Sequence, residues 1–265
     1  GEVSGYNDVG QVMFKTLTQT KDKKNIVTNF KKNIVKNFGL GSNYWKNLKL
    51  RKKYKKIKWE TAMKGPWIHQ NILETIKNIK LKKNITGGTK VNESDGYCAA
   101  LPYSLFNNSE QKLKKVIRTV ANGKISEQFA LAKLKIINLA DEGNIDPINS
   151  FIRLNSKNNY FKNAIENIKK VKKLKNKPHN IVVKKFGKAC SYPGTFNGSI
   201  HAIITSRSYK SAVIKTIKAG GCNCSRANFV GAYFAAKNGL KDIPKDWIKK
   251  TNPAKNILKY IAFVN

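Results

Sequence analysis

The amino-acid sequence predicts a mainly α-helical protein, and three observations support this prediction. Apolar residues recur at three- and four-residue steps along most of the 265-residue chain, which is the spacing of one face of a helix. Pro66, Pro244 and Pro253 stand at plausible first-turn positions of such segments. Hydrophobic residues make up 40% of the chain, which is enough for a folded core, so wholesale disorder is not expected.

The N-terminal part is predicted to begin with a helix over residues 8–38, divided by a break near Thr20 to Asp22 and ended by Gly39-Leu40-Gly41. Residues 44–59 combine aromatic and basic side chains. We interpret them as a helix with aromatic contacts to the core and a solvated basic face. Stacking on bases or sugars is the alternative. A further helix is predicted to begin at Pro66 and to continue through Lys80.

Two segments are predicted to be irregular. Residues 81–96 are rich in Lys, Asn, Gly and Ser and read as a loop, and residues 175–198 contain Pro178 and Pro193. Helices are predicted over nine other segments, namely 109–121, 125–140, 145–154, 159–174, 199–206, 208–218, 224–238, 244–250 and 253–263. Because neither a boundary nor a regular repeat is visible, we predict a single domain over residues 1–265.

The chain carries a very large positive charge. It has 52 Lys and Arg against 15 Asp and Glu, a formal net charge of +37. A folded domain with this imbalance repels itself and is relieved by nearby anions. Almost all the cations are lysines, which suit unspecific attraction better than the bidentate recognition that arginine gives. The sequence therefore predicts a polyanionic surface as partner, mineral or polymer. Compositional drift towards Lys and Asn is the alternative.

The predicted polyanion-binding residues lie in two lysine-rich segments. They are Lys46, Lys49, Arg51, Lys52, Lys53, Lys55, Lys56, Lys169, Lys170, Lys172, Lys173 and Lys175. A solvated helix face is the plainer interpretation of each segment. The sequence has no apolar run long enough for a bilayer, so no transmembrane segment is predicted.

Four cysteines are the next feature of interest: Cys98, Cys190, Cys222 and Cys224. An even number permits two disulfides in a secreted protein, whereas reduced buried thiols would fit a cytosolic one. Glycosylation sequons occur at Asn84, Asn92, Asn107, Asn197 and Asn223. We predict an extracellular protein with these cysteines as disulfide candidates. A cytoplasmic location is the alternative.

Several segments resemble motifs of the ADP-ribosylglycohydrolase family. Tyr6-Asn7-Asp8-Val9-Gly10-Gln11 resembles its Thr-Asp-Asp-Thr motif, and Asp95-Gly96-Tyr97-Cys98-Ala99-Ala100 resembles its Asn-Gly-x-x-Met-Arg segment. Gly220-Gly221-Cys222-Asn223-Cys224, followed by a Gly- and Ala-rich segment and Ile243-Pro244-Lys245-Asp246-Trp247, resembles its C-terminal Gly-Gly-Asp-x-Asp turn, small-residue helix and Ile-Pro-x-x-Trp helix. Pro193-Gly194-Thr195-Phe196-Asn197-Gly198-Ser199 resembles the branch of the J-type crystallins and selenoprotein J.

This resemblance implies a compact all-α bundle and a site for two magnesium ions held by carboxylates of the first and last motifs. Asp8 matches one aspartate of the first motif, while Cys222 and Cys224 replace both aspartates of the last. Sulfur does not substitute for a carboxylate oxygen at magnesium. The resemblance therefore implies a vestigial site made of Asp8, Cys222 and Cys224, without catalysis, metal or cofactor. The family's Gly-rich helix before the first motif is missing, so we expect a cleaved or trimmed chain.

Three functions remain open from the sequence. The first is a non-catalytic structural or scaffold protein that assembles on or templates a polyanionic material such as silica, with possible self-assembly or a homo-oligomer. The second is a protein that binds nucleic acid or ADP-ribose, and the third is an active hydrolase with an altered site. The cysteines could form disulfides, stay reduced or hold zinc in a four-sulfur site. His69, His179 and His201 are predicted to be structural or surface residues.

Overall fold

The structure, a computed structural model, describes residues 4–53 and 66–261, and only the backbone of residues 49–53, 260 and 261. Over these ranges the chain is helical and forms no strand, so the predicted all-α fold is confirmed. The chain divides into two compact units, an N-terminal unit, Ser4–Gly123, and a C-terminal unit that begins at Lys124. The sequence shows no boundary there, and the single-domain organisation stays a prediction.

The described part of the N-terminal unit is built from six α-helices. These are α1 (Gly5–Gln19), α2 (Ile26–Phe38), α3 (Asn43–Lys53), α4 (Gln70–Lys80), α5 (Asp95–Ser104) and α6 (Glu110–Val120). Helix α5 packs against both α1 and α6, and α2 packs against α1, α4 and α6. Phe30, Phe38, Tyr97 and Val116 are almost completely buried. This unit therefore has an apolar core of its own.

The C-terminal unit contributes nine α-helices to the described chain. They are α7 (Lys124–Asp141), α8 (Pro147–Leu154), α9 (Lys162–Lys172), α10 (His179–Phe186), α11 (Gly194–Ile204), α12 (Tyr209–Lys218), α13 (Asn223–Asn238), α14 (Lys245–Lys250) and α15 (Ala254–Ile261). Helix α11 contacts α9, α10, α12 and α13, while α13 also contacts α7 and α12. Phe196 stacks on Phe229 and packs at a tilt against Phe129, with ring centroids 6.2 and 4.9 Å away. Helices α11 and α13 therefore form the middle of this unit.

The predicted interruptions of the first helical stretch are confirmed. A 3-10 turn, Lys23–Asn25, separates α1 from α2, and the Asp22 side chain accepts a hydrogen bond of 2.9 Å from the Lys24 amide. Gly39 follows α2, and a Cβ atom there would overlap the carbonyl oxygen of Val35. The helix ends at Gly39 because only glycine fits this close backbone approach.

Three predictions of local structure are wrong. The helix expected from Pro66 begins only at Gln70. Residues 66–69 are not helical, and the backbone of His69 is extended. Helix α5 begins inside the predicted loop 81–96, and α10 and the start of α11 lie inside the segment 175–198 that was expected to be irregular. Helices α5 and α11 are buried on nearly every side, so they lack the apolar periodicity that marks a surface helix.

Candidate functional site

The first family-like motif lies on α1, and its carboxylate is held by neighbouring side chains. Asp8 is half-buried in the first turn of α1. The Tyr44 hydroxyl donates to Asp8 Oδ2, and Gln11 Nε2 donates to Asp8 Oδ1 at 3.1 Å. Both oxygens of the one aspartate that matches the family motif are therefore engaged in hydrogen bonds.

A buried polar network in the same unit includes residues that the sequence did not identify. Asp95, at the start of α5, is fully buried, and its Oδ1 lies 2.7 Å from His69 Nδ1 while its Oδ2 accepts from Asn71 Nδ2 at 3.0 Å. The Tyr6 ring packs on the His69 ring at 3.9 Å, and its hydroxyl donates to Glu93 at 3.0 Å. The network satisfies a buried carboxylate and joins α1, α4 and α5, which is a structural role for His69, as predicted.

The last family-like motif forms a tight turn before α13. Gly220 and Gly221 have φ of +69° and +66°, in the left-handed region that favours glycine. The Cys222 amide donates to the carbonyl oxygen of Lys188 at 2.8 Å, which fixes the turn to the segment after α10. A Cβ atom on Gly221 would overlap that same carbonyl. The two glycines therefore let Cys222 approach the segment that carries Cys190.

Three of the predicted disulfide candidates meet at this turn. The sulfur atoms of Cys222 and Cys224 are 3.7 Å apart, and Cys190 also hydrogen-bonds to Cys222. Each of these cysteines is half-buried. Hydrogen bonds from the thiols of Cys190 and Cys224, supported by Ser225 and opposed by burial, lower the pKa of Cys222. The hydrogen bond to Cys222, burial and the nearby negative charge raise the pKa of Cys224. The arrangement favours a thiolate at Cys222 and a thiol at Cys224.

The fourth cysteine lies in the other unit. Cys98 is buried in α5, where its carbonyl oxygen would be 3.2 Å from a Cβ atom on Gly10 of α1. All four cysteines are free thiols in the structure. Their pairing into disulfides stays a prediction.

The donor atoms of the last motif do not fit the magnesium that the family resemblance implies. Cys222 and Cys224 offer sulfur, and they interact with each other and with Cys190. Magnesium requires oxygen ligands in a near-octahedral arrangement. Among residues 4–53 and 66–261 no group of three or more His, Cys, Asp or Glu side chains is arranged to hold a metal ion.

Two of the three histidines form a buried pair in the C-terminal unit, which the sequence did not reveal. His201 Nε2 lies 3.1 Å from the Leu174 carbonyl oxygen, so it must donate, and the neutral ring then accepts at Nδ1. His179 Nδ1 therefore donates to His201 Nδ1 across 3.0 Å. Burial, His201, Arg226 and Lys215 lower the pKa of His179 to about 3. Both rings are buried and hydrogen-bonded within the unit.

The predicted polyanion-binding lysines are divided between the two units. Lys46 is exposed on α3, whose Tyr44 is buried against Phe38, as expected for a helix with aromatic core contacts. The side chains of Lys49, Arg51, Lys52 and Lys53, and all of Lys55 and Lys56, lie outside the described part of the protein. In the C-terminal unit Lys169, Lys170, Lys173 and Lys175 are exposed, and Lys172 donates to Asn149 at 2.5 Å.

One predicted modification site does not fit the fold. Asn197, in α11, is completely buried and donates to Asn167 Oδ1 at 2.9 Å, so a glycan there is incompatible with the folded unit. Asn84 is exposed, and Asn92, Asn107 and Asn223 are half-buried. None of the described helices is both long enough and apolar enough to cross a membrane.

Comparison with known proteins places the chain in a family. The family model for ADP-ribosylglycohydrolase matches residues 62–263. Crystallin J1A of Tripedalia cystophora is 29% identical over 266 residues, which cover 98% of this chain and 78% of the crystallin. Crystallin J1B of the same organism is 27% identical over 268 residues, covering 99% and 79% of the two chains.

A solved structure supports the same conclusion at the level of the fold. A chain described as part of an ADP-ribosylglycohydrolase-related protein complex superposes with a TM-score of 0.59 and 12% identity, over 94% of this chain and 76% of that chain. The helices described above therefore have the arrangement of a known fold. Together, the match of the family model and this shared fold show that the chain belongs to the ADP-ribosylglycohydrolase family.

Proposed function

We propose that this protein is a structural protein without hydrolase activity that assembles on polyanionic material, with silica as a specific candidate. Its relatives J1A and J1B are named crystallins, which is consistent with a structural role for this fold. The observation that carries the polyanion proposal is the charge of the C-terminal unit. No Asp or Glu occurs between Glu166 and Asp242, although lysines are frequent in that stretch, most of them before residue 190. Most of these lysines therefore have no nearby carboxylate in the sequence and depend on external anions.

The densest part of this charge is an exposed lysine patch, which we define as Lys169, Lys170, Lys173 and Lys175. It lies at the C-terminal end of α9, where the helix dipole favours positive side chains. All four side chains are exposed, so an extended anion can contact several of them at once. Lysine offers a mobile ammonium group without a fixed fork, and this suits a repeating phosphate, sulfate or silanolate surface.

The test is silica precipitation from silicic acid near neutral pH by the full chain, with polyphosphate binding measured in parallel. We expect the unmodified protein to precipitate silica and acetylation of its lysines to abolish the activity. A protein that neither precipitates silica nor binds polyphosphate would contradict the proposal.

Two variants that lose the same number of charges test whether the lysine patch is the surface that binds polyanions. The first variant replaces the lysine patch by glutamine, and the second replaces the exposed lysines Lys82, Lys83, Lys90 and Lys112 of the N-terminal unit. Both remove four positive charges. We expect the patch variant to weaken polyphosphate binding at least about 10-fold more than its control, because clustered cations release more counterions on one anion. Equal losses would show that the patch has no special role.

The absence of hydrolase activity is part of the proposal and rests on the two sulfurs at the last motif and on the engaged carboxylate of Asp8. We expect no magnesium-dependent release of ADP-ribose from an ADP-ribosylated protein. Release that the change Asp8→Ala abolishes would instead establish a hydrolase. Saturable binding of free ADP-ribose without turnover would favour a recognition protein, because attraction to charge alone does not saturate with this ligand.

We also propose that the protein is extracellular, on the basis of the sequons and the even number of cysteines. Intact mass of the native protein before and after reduction tests this, because glycans and disulfides both change it. A native mass equal to that of the bare reduced chain would contradict the proposal.

A further inference from the structure

The cysteine cluster, defined as Cys190, Cys222 and Cys224, has the parts of a reactive thiol site. Its side chains come from two segments that are brought together by the Gly220-Gly221 turn and by the hydrogen bond from the Cys222 amide to Lys188. All three are half-buried, so a small reagent can reach them. Cys222 is the residue that precedes α13, a helix of 16 residues whose N-terminal end favours a negative charge.

A buried arginine supplies the second observation that points to an anion at this turn. Arg226 is completely buried, one helical turn after Cys222. Its Nη2 donates to the Gly220 carbonyl, whereas Nε and Nη1 are buried without a hydrogen-bond partner. Burial lowers the pKa of Arg226, and electrostatic interaction with Cys222, Cys224 and Cys190 opposes this effect. A buried guanidinium with unsatisfied donors, in the first turn of the helix that follows Cys222, favours negative charge at this turn and therefore a thiolate over three neutral thiols.

Glycine again explains how this arginine is accommodated. A Cβ atom on Gly198 of α11 would lie 2.6 Å from Arg226 Cδ, so α11 leaves room for the side chain only because residue 198 is glycine. The arginine is therefore held in place by packing, with its guanidinium tied to the carbonyl of Gly220 in the turn itself.

We propose that Cys222 is a nucleophilic thiolate that reduces hydroperoxides and that a neighbouring thiol, Cys224 or Cys190, then forms a disulfide with it. In the first step the Cys222 sulfur attacks the distal oxygen of ROOH. The S–O bond forms as the O–O bond breaks, and the leaving RO⁻ takes a proton from water and departs as ROH. In the second step the neighbouring sulfur attacks the sulfenic acid, the S–S bond forms, the S–O bond breaks, and water leaves with the thiol proton. A small dithiol restores both thiols by exchange.

This activity is separate from assembly on polyanions and does not depend on it. It uses the cysteine cluster and Arg226, none of which belongs to the lysine patch. Failure of silica precipitation would leave the redox proposal intact, and failure of the redox test would leave the assembly proposal intact.

The first experiment uses the unaltered full chain after reduction and removal of the reductant. Limiting iodoacetamide at about pH 6 should alkylate Cys222 at least about 10-fold faster than it alkylates free N-acetylcysteine, because an ordinary thiol is mostly protonated there. Limiting hydrogen peroxide should then produce a disulfide within the cysteine cluster, identified by peptide mass mapping. A disulfide that joins Cys222 to either neighbour supports the proposal. The absence of such a disulfide, or alkylation no faster than the free thiol, would overturn it.

Variants assign the roles of the cysteines. Cys222→Ser should lower the rate of peroxide consumption at least about 10-fold, whereas the control Cys98→Ser should leave it unchanged. The double change Cys190→Ser and Cys224→Ser should leave a Cys222 sulfenic acid that dimedone traps. Thermal unfolding of each variant checks its fold. Should Cys222→Ser fail to fold, peptide mapping of the unaltered chain still decides the question. Equal peroxide consumption by a folded Cys222→Ser variant would overturn the proposal.

Discussion

Single residues decide how closely the cysteine-bearing segments approach one another. Gly221 has a left-handed backbone and faces the carbonyl oxygen of Lys188, so both its conformation and its contact exclude a side chain. Gly143 has a similar φ of +77° but no atom within 4 Å of a Cβ placed there. An alanine at Gly143 therefore meets only the cost of the left-handed backbone, whereas an alanine at Gly221 also meets the cost of overlap with Lys188.

We expect Gly221→Ala to lower the free energy of unfolding by about 2–4 kcal/mol, because overlap with Lys188 adds to the cost of a left-handed alanine. Gly143→Ala should cost only about 1 kcal/mol, the conformational part alone. Urea unfolding followed by circular dichroism measures both. Equal losses at the two positions would show that the approach to Lys188 does not constrain residue 221.

A single buried imidazole, that of His179, makes the stability of the protein depend on pH. The folded-state pKa of His179 is about 3, mainly because of burial, whereas the unfolded chain has the ordinary value of about 6.5. Above that value both states are neutral, and the residue has no effect on stability. Below it, only the unfolded chain binds the proton, so the free energy of unfolding falls by up to about 1.4 kcal/mol per pH unit as pH decreases from about 6.5 towards 3.

His179→Asn removes this titration while its amide can still donate to His201. The loss of stability between about pH 7 and about pH 5 should therefore be smaller in the variant than in the original protein. Burial also lowers the pKa of His201, so part of the slope remains in the variant. Thermal unfolding at several pH values tests this. Identical slopes in the two proteins would contradict a neutral buried His179.

At the scale of elements, burial separates the helices that a sequence pattern can reveal from those that it cannot. Helix α6 is amphipathic and was predicted nearly to its ends, whereas α5 and α11 are enclosed by their neighbours and show no polar face. Helix α8 was also predicted nearly to its ends, and Asp146 precedes it. Its side chain accepts from the Asn149 amide at 3.1 Å, and Pro147 is the first residue of the helix.

We expect Asp146→Ala to lower the free energy of unfolding by about 1 kcal/mol, because the first turn of α8 loses its side-chain hydrogen-bond acceptor. Ser109 precedes α6 without such a bond, and Ser109→Ala should change stability by less than about 0.5 kcal/mol. Chemical denaturation of both variants gives the two values. A loss at Ser109 as large as that at Asp146 would mean that the acceptor is not responsible.

The charge of the whole molecule opposes its own folding. With a formal net charge of +37, the folded chain concentrates more positive charge than its carboxylates can balance. Added salt shortens the range of this repulsion to about 10 Å at 0.1 M. The same field attracts polyanions and supports assembly on them.

We therefore expect the melting temperature to rise as sodium chloride is increased from low ionic strength. Polyphosphate should raise it further at equal ionic strength, because a ligand that binds the folded state stabilises it. Differential scanning fluorimetry over a series of sodium chloride concentrations measures the first effect. The same method with and without polyphosphate at matched ionic strength measures the second. A melting temperature that falls with salt would indicate that attractive ion pairs, and not repulsion, dominate the charge balance.

The sequence by itself determined the helical class, the position of the motifs, the exchange of two aspartates for Cys222 and Cys224, and the lysine excess. These follow from residue identity and local spacing. Only the tertiary structure decided that α5 is a helix, that His179 pairs with His201, and that Cys190 meets Cys222 at the turn before the helix that carries the buried Arg226. The physical reason is that a helix enclosed by its neighbours loses its amphipathic pattern, and contacts between distant residues depend on packing that no local pattern records.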